Sequence, residues 1–532
     1  MVNSNNSSQV SRLYWLRGEP WVWLCGGGLA VILVMVFTMF WVVGSNGFSA
    51  FWLKPIFKVK LADDSYLLGE IVKEEDVGTL MHKIQYKVGN REIYGLDFRW
   101  VDAADVVEWQ TPEDVVMLER QEYGNFYGWI SGFELSDFPM KEGPLPSQLK
   151  EFFRVSQQRL VEIESLKDEI GDLNHELEEV RLQALEDGVS DWKLLPEAVV
   201  LQKEFERVLE SLNTAEHSLS LNKVILRDVS GKVEKLSGGH LVRFVFPNQA
   251  GIGAKLLFYA EKVWELLSGD PRESNTEGGL FPAIFGTVFM IFLMSLFSFP
   301  MGVIAGIYLR EYAKEGVLVR TVRIAVNNLA GIPAIVYGIF GLGFFIYGIG
   351  AFIDQSAYSE RLPEPTFGTG GVLWASLTLG ILTIPVVIVA TEEALGAIPR
   401  AIRESSLALG ATKFQTLVKI LLPSASPGII TGLILSMARA AGEVAPLMIT
   451  GVVKLAPTLP IDGNWPFLHL ERKFMHLGFH IYDISCQSPN VEAAKPMVYV
   501  TTVLLLIIVL VLSSFAIWLR ARMKRKFQVA AV

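Results

Sequence analysis

The chain has 532 residues, 51% of them hydrophobic and 19% charged, with a mean hydropathy of +0.36 and a net charge of −9. That is too apolar for an ordinary soluble protein and too charged for membrane spans alone, so several spans plus a sizeable polar domain are expected. The two cysteines, Cys25 and Cys486, have no metal-ligand spacing and lie in settings too unlike to pair, so neither a metal site nor a disulfide is expected.

A helix needs about 20 apolar residues to cross the hydrocarbon core. Six segments qualify, at 21–43, 281–309, 325–353, 371–391, 424–451 and 497–519. The first is too long for a cleaved signal peptide and no small-residue cleavage site follows it. Residues 45–278 hold 26 Lys+Arg against 42 Asp+Glu, a net of −16, which leaves +7 for the rest of a chain whose total is −9. Basic residues cluster before the first span (Arg12, Arg17) and after the second (Arg310, Lys314, Arg320, Arg323). They recur between the fourth and fifth (Arg400, Arg403, Lys413, Lys419) and after the sixth (Arg520 to Lys526). An even number of spans brings all four regions to one side, which the positive-inside rule makes cytoplasmic. The expected organisation is therefore a cytoplasmic terminus and first span (1–44), an extracytoplasmic insert (45–278) and a core of five further spans (279–532), with both termini cytoplasmic.

Within the insert, short alternating runs such as FKVKL, EIVKE and KIQYKV, separated by turn residues such as Gly89-Asn90, predict strands over about 50–130. Two apolar seams follow at 3,4 spacing, Ile163 to Ala184 and Ala198 to Leu219, joined by LEDGVSDWKLLP. They predict an antiparallel coiled-coil hairpin over about 150–220. At 1.5 Å per residue such an arm reaches roughly 50 Å. It reads equally as a packing element of a globular domain or as an arm that touches a partner or the cell wall. Strands return over about 222–247. LSGGH (Leu236 to His240) looks like an ATPase signature, but no phosphate-binding G-x-x-x-x-G-K-[ST] loop occurs in the chain, and a turn at Gly238-Gly239 is expected instead.

The core carries two constellations. In RAIRESSLALGATKFQTLVKILLP, Glu404 is followed by Gly410, Ile420, Leu422 and Pro423. A helix over about 400–409 ending on Leu407, Ala408 and Leu409, stopped by Gly410 in the left-handed conformation, presents an apolar end that suits a partner's groove. A second helix is expected over 411–421, with Pro423 opening the fifth span. Further on, SMARAAGEVAPLMITG places Arg439 near the middle of the predicted fifth span, with Glu443 one helical turn away. A charge at the bilayer centre costs about 2.5–3.5 kcal/mol on insertion scales, so it faces a bundle interior or an aqueous path. A guanidinium holds an oxyanion through paired hydrogen bonds. Glu443 is suited to hold Arg439 when no anion is there, with Ala440, Ala441 and Gly442 leaving room beside it. A purely structural Arg–Glu tie between helices is the alternative. His476 and His480 read as part of an amphipathic surface helix rather than a metal pair, Gly302 and Gly306 as a close helix contact, and Glu392 as solvated or paired with Arg400.

The 400–423 segment resembles the EAA loop of ABC importer permeases, with Ser405 and Ser406 in place of the two alanines. RAAGEVAPL, NNLAGIPAIVYGIFGLGFF, ILTIPVVIVATEEALGAIPRAIRE and EGGLFPAIFGT together resemble the A-type (PstA) permease subunits of phosphate ABC importers, in an enlarged form with an N-terminal insert. The resemblance implies a polytopic α-helical, type I importer fold of six transmembrane helices, plus an extracytoplasmic α+β insert, and a chain that is not itself an enzyme. It implies that Arg439 and Glu443 belong to the phosphate path, and that Glu404, Leu407, Ala408, Leu409 and Gly410 couple to an ATPase across a loop at 392–423. Implied partners are a second, PstC-like permease, two PstB-like ATPase copies that bind ATP and magnesium, a PstS-like phosphate-binding protein, and membrane lipid, with no cofactor in this chain and no nucleic acid. Another oxyanion (molybdate, sulfate or phosphonate) would suit the same arginine, and an envelope adaptor or sensor working through the arm is the reading of a different class.

Overall fold

The computed structural model describes residues 18–77, 81–135, 144–189 and 191–528. Arg12 and Arg17, used above for orientation, lie outside the described residues. Among the described residues, six helices are long and apolar enough to cross a membrane: Pro20–Ser49, Phe281–Tyr312, Ala334–Ala357, Val372–Gly396, Lys413–Gly442 and Val491–Arg525.

Between the first two spans stand two antiparallel five-stranded sheets. One has the order β4-β3-β2-β1-β5, with β1 Ile56–Leu61, β2 Tyr66–Val77, β3 Met81–Lys87, β4 Phe98–Asp102 and β5 Val106–Gln110. The other has the order β10-β6-β7-β8-β9, with β6 Val116–Arg120, β7 Phe126–Glu134, β8 Lys223–Arg227, β9 Val233–Ser237 and β10 Leu241–Val245. Alternate residues supply separate cores, Val59, Leu67, Ile84 and Tyr86 for the first, Leu118, Phe126, Val224 and Leu226 for the second. Helices Leu145–Glu186 and Pro196–Leu221 leave the second sheet and pack together along Ile163, Leu212, Ala215 and Leu219, with Lys167 Nζ 2.9 Å from Glu216 Oε1. The LSGGH segment is a 3-10 turn, Gly238–His240, between β9 and β10. A helix that the sequence patterns did not single out, Ile252–Ser268, and a short β-turn lead back to the second span.

The sheets are fastened to the spans by polar contacts. Asn490, just before the sixth span, donates to Asp97; Gly124 N donates to Glu273 Oε2 at 2.8 Å; Asn275 Nδ2 donates to the Lys454 carbonyl at 3.0 Å. In the core, the second and fourth spans approach so closely that a Cβ on Gly302 would stand 2.6 Å from Val387 Cβ, and one on Gly306 2.7 Å from Thr391 Cβ. The close contact expected of these glycines is therefore with the fourth span.

Three expectations change. The third span begins only at Ala334, because Gly331 and Pro333 separate it from an amphipathic helix, Val317–Leu329. Lys413–Thr416 continues through Leu417–Leu421 into Leu422–Gly442 without a stop, so Pro423 sits in a running helix whose turn there is already wide. The fifth span does not reach residue 451: it breaks at Glu443-Val444 and resumes as Ala445–Thr450.

Candidate functional site

The loop after the fourth span is built to protrude. Helix Arg400–Ala408 stops where Gly410 takes φ +84°, with Gly410 N donating to the Leu407 carbonyl at 3.0 Å and Ala411 N to the Ser406 carbonyl at 3.2 Å. This paired closure is what a left-handed glycine permits at a helix end. Thr412 and Gln415 then cap the next helix reciprocally. Leu409 is 88% exposed and Phe414 66%; Glu404, Leu407, Ala408 and Gly410 are exposed too. The loop is anchored from beneath by Arg403, whose Nη2 donates to Glu311 Oε1 at 2.8 Å and whose Nη1 donates to the Ile398 carbonyl at 2.7 Å. Ser406 and Thr416 hydroxyls meet at 2.9 Å between its two helices. Glu392 pairs with Arg323 (Nε–Oε1 3.1 Å) rather than with Arg400, tying the amphipathic helix to the fourth span.

The second constellation lies at the break in the fifth span. That span runs antiparallel to the fourth, with Gly428 against Ala394 and Gly432 against Ala390. Continuing this register places Arg439 level with Thr383, half-way along Val372–Gly396. Arg439 is therefore in the last turn of its helix yet deep in the bundle, because the helix itself ends there. A cation in that turn is favoured by the helix dipole. Arg439 Nε lies 3.6 Å from Glu443 Oε1, one turn on at the C-cap just before the break, and both are about a quarter to a third exposed. Glu443 is the carboxylate paired with Arg439 among the described residues, and a guanidinium carries further N–H donors besides the Nε that faces it. Gly442 adjoins open space; Ala440 and Ala441 do not, since both are buried in the core with Met290, Met294 and Leu379.

Helix Leu477–Cys486 exposes Tyr482 and Cys486 on one face but turns its histidines inward. His476, His480 and Asp483 are buried, and burial pushes the imidazoles down to about 3 for His476 and about 4 for His480, so both are neutral near pH 7. The sequence reading of an amphipathic surface helix left open which face the histidines take; the cover over that face comes from the second and sixth spans. Among the described residues no group of three or more His, Cys, Asp or Glu is arranged to hold a metal ion.

Six membrane-length helices, the fifth of which breaks just beyond Arg439 and carries a protruding loop at its other end, define a multi-pass membrane protein. Residues 298–525 match the family model described as binding-protein-dependent transport system inner membrane component. The chain is 30% identical over 254 residues to the probable ABC transporter permease protein YqgI of Bacillus subtilis, covering 47% of this chain and 80% of that relative. It is 36% identical over 194 residues to the phosphate transport system permease protein PstA of Mycobacterium leprae, covering 36% of this chain and 58% of that one. It is 31% identical to the probable PstA of Methanocaldococcus jannaschii, covering 41% and 67%. The chain thus spans about half to two thirds of the PstA relatives named. Among solved structures, the MetNI methionine ABC transporter covers 49% of this chain and 97% of its own at 20% identity, with a TM-score of 0.34. The chain belongs to the family of ABC importer permeases and is PstA-like in sequence. As such it is a multi-pass inner-membrane subunit and not an enzyme.

Proposed function

We propose that this chain is one of two unlike permease subunits of an ATP-driven importer of inorganic phosphate. The observation that carries the reading is Arg439, placed half-way along the bundle with Glu443 3.6 Å away. The reading is supported by the likeness to phosphate permeases over the region that contains both residues. Arg439 takes the phosphate oxygens, and Glu443 holds the arginine between transport events. The loop at 392–423 faces the cytoplasm, where Glu404, Leu407, Ala408, Leu409 and Gly410 dock on a PstB-like ATPase. A second ATPase copy docks on a PstC-like permease, and ATP with magnesium binds only there. From Lys413 the loop's second helix runs without interruption into the fifth span, so displacement of the loop is transmitted along that helix to Arg439. Residues 45–278 lie in the periplasm, where a PstS-like protein delivers phosphate, and the two helices at 145–221 form a coiled-coil arm of that insert.

The test is labelled phosphate uptake by cells that lack this chain but hold its partners. Uptake restored by the natural sequence and lost with Arg439→Gln, at equal expression and with the complex intact, supports the reading. Full uptake with Arg439→Gln removes the arginine from the path. No phosphate uptake, but uptake of sulfate, molybdate or a phosphonate, reassigns the substrate.

A further inference from the structure

The helix Leu477–Cys486 carries a buried polar stripe. His476 is its N-cap, His480 follows one turn on, and Asp483 continues the same face. They are 0%, 2% and 1% exposed. His476 Nδ1 accepts the Gly478 amide at 3.1 Å, so its proton sits on Nε2, which meets no acceptor among the described residues. Neither ring nitrogen of His480 has a partner there either. Asp483 Oδ2 lies 3.1 Å from Nζ of Lys454, whose side chain is 37% exposed.

The stripe has two defined ends. At one, Val444 Cγ2 and His476 Cε1 lie 2.9 and 3.0 Å from the point that a Cβ on Gly478 would occupy, so the start of the helix packs against Val444, next to Glu443, with His476 close by. At the other, the Lys454 carbonyl receives the Asn275 amide at the root of the insert. A buried polar group without a partner costs about 1–3 kcal/mol, and two such imidazoles within five residues call for a reason. The ends are alike: Arg439 faces Glu443, and Lys454 faces Asp483, each a cation resting on a carboxylate. Between them stand two neutral N–H donors with nothing to donate to. An anion with several acceptor oxygens is what this series of donors fits.

We propose that Lys454, His480 and His476 form the insert-side half of the anion path, passing an oxyanion from Lys454 along the imidazole N–H groups to Arg439. The proposal rests on the phosphate reading. In the structure the lane is shut; it opens when the helix parts from the break, and the anion then supplies the acceptors that the imidazoles lack. Asp483 and Glu443 hold the two cations in place when the lane is empty.

The experiment uses the whole complex in liposomes, with saturating phosphate-loaded binding protein and labelled phosphate. His480→Leu removes one donor to the anion and is expected to lower the saturated uptake rate about tenfold, the effect of about 1.4 kcal/mol on a barrier. The phosphate concentration for half-maximal uptake, set by the binding protein, stays unchanged. His480→Gln keeps an N–H and restores most of the rate. The melting temperature of His480→Leu is unchanged or higher, since an unpaired polar group has gone; a merely structural histidine would lower it and show no preference for Gln. Lys454→Gln, at a half-exposed position, lowers the rate similarly and carries the test if His480→Leu fails to assemble. Natural rates in these variants, in a complex that does move phosphate, overturn this proposal alone. A natural complex that moves no phosphate overturns the phosphate reading, and the proposal with it.

Discussion

Exchanging one methyl group between the fourth and fifth spans tests the register that sets the depth of Arg439. A Cβ on Gly428 would stand 2.6 Å from Ala394 Cβ and 3.4 Å from its Cα. Carbon atoms in contact sit about 3.5–4.0 Å apart, so Gly428→Ala forces the helices apart by roughly 1 Å. Overpacking of this kind costs about 1–3 kcal/mol. Ala394→Gly alone leaves a methyl-sized gap and adds a helix glycine, which costs about 1 kcal/mol. In the double variant Gly428→Ala/Ala394→Gly the pair again carries a single methyl, and the helix propensities cancel. A coupling of about 1–3 kcal/mol in favour of the double variant is therefore expected. It is read from melting temperatures of the four purified complexes, with phosphate uptake alongside, since Arg439 lies three turns further along the displaced helix. If Gly428→Ala melts like the natural chain, or the double variant is no better than its single changes combined, the antiparallel register is wrong.

Three further outcomes are expected. Leu409→Asp, at a position 88% exposed, leaves the melting temperature of the chain unchanged but weakens capture of the ATPase subunit in a pull-down; undiminished capture removes Leu409 from the docking surface. Arg403→Gln strips the partner from Glu311, a carboxylate only 11% exposed, and should cost about 3–5 kcal/mol, with Arg403→Gln/Glu311→Gln costing less; equal melting of the two variants counts against the pair. Burial tends to raise the carboxyl of Glu265, but Lys262, Arg272 and Arg243 outweigh it and hold the group below the usual carboxylate range. Its contribution to stability is thus present at neutral pH and lost as pH falls through that lowered value. Glu265→Gln should melt below the natural chain at pH 7 and approach it as pH falls below the usual carboxylate range; a constant offset would show that the charge is not what matters.

The six apolar segments and the Glu404, Gly410, Ile420, Leu422, Pro423 spacing are visible in the sequence because each depends on residues near one another in the chain. Span length follows from a local sum of hydropathy, and the exposed end at Leu407 to Leu409 follows from a glycine that stops a helix. The arginine and glutamate of the fifth span are likewise visible, since charge among apolar residues stands out in any window. The break that follows directly after them was not. AAGEVAP reads as continuous helix, and the chain opens at Glu443-Val444 where Gly338 and Gly341 of the third span leave room for Ala445–Thr450 to pack. Hydropathy sums to a span whether or not the backbone is interrupted.

The histidines show the same division. Four-residue spacing put His476 and His480 on one helix face, but whether that face meets water depends on Thr287 and the sixth span, far away in sequence. The joint between insert and spans, where Asn490 meets Asp97, is equally remote, 393 residues apart. By itself the sequence determined how many helices can cross a membrane, which loop protrudes and which charges must be sheltered, because those are properties of short windows. The tertiary structure alone decided where the fifth helix stops, which glycines let neighbouring helices touch and which polar groups are left without partners. Burial and contact are relations between distant segments, and no short window contains both sides of them.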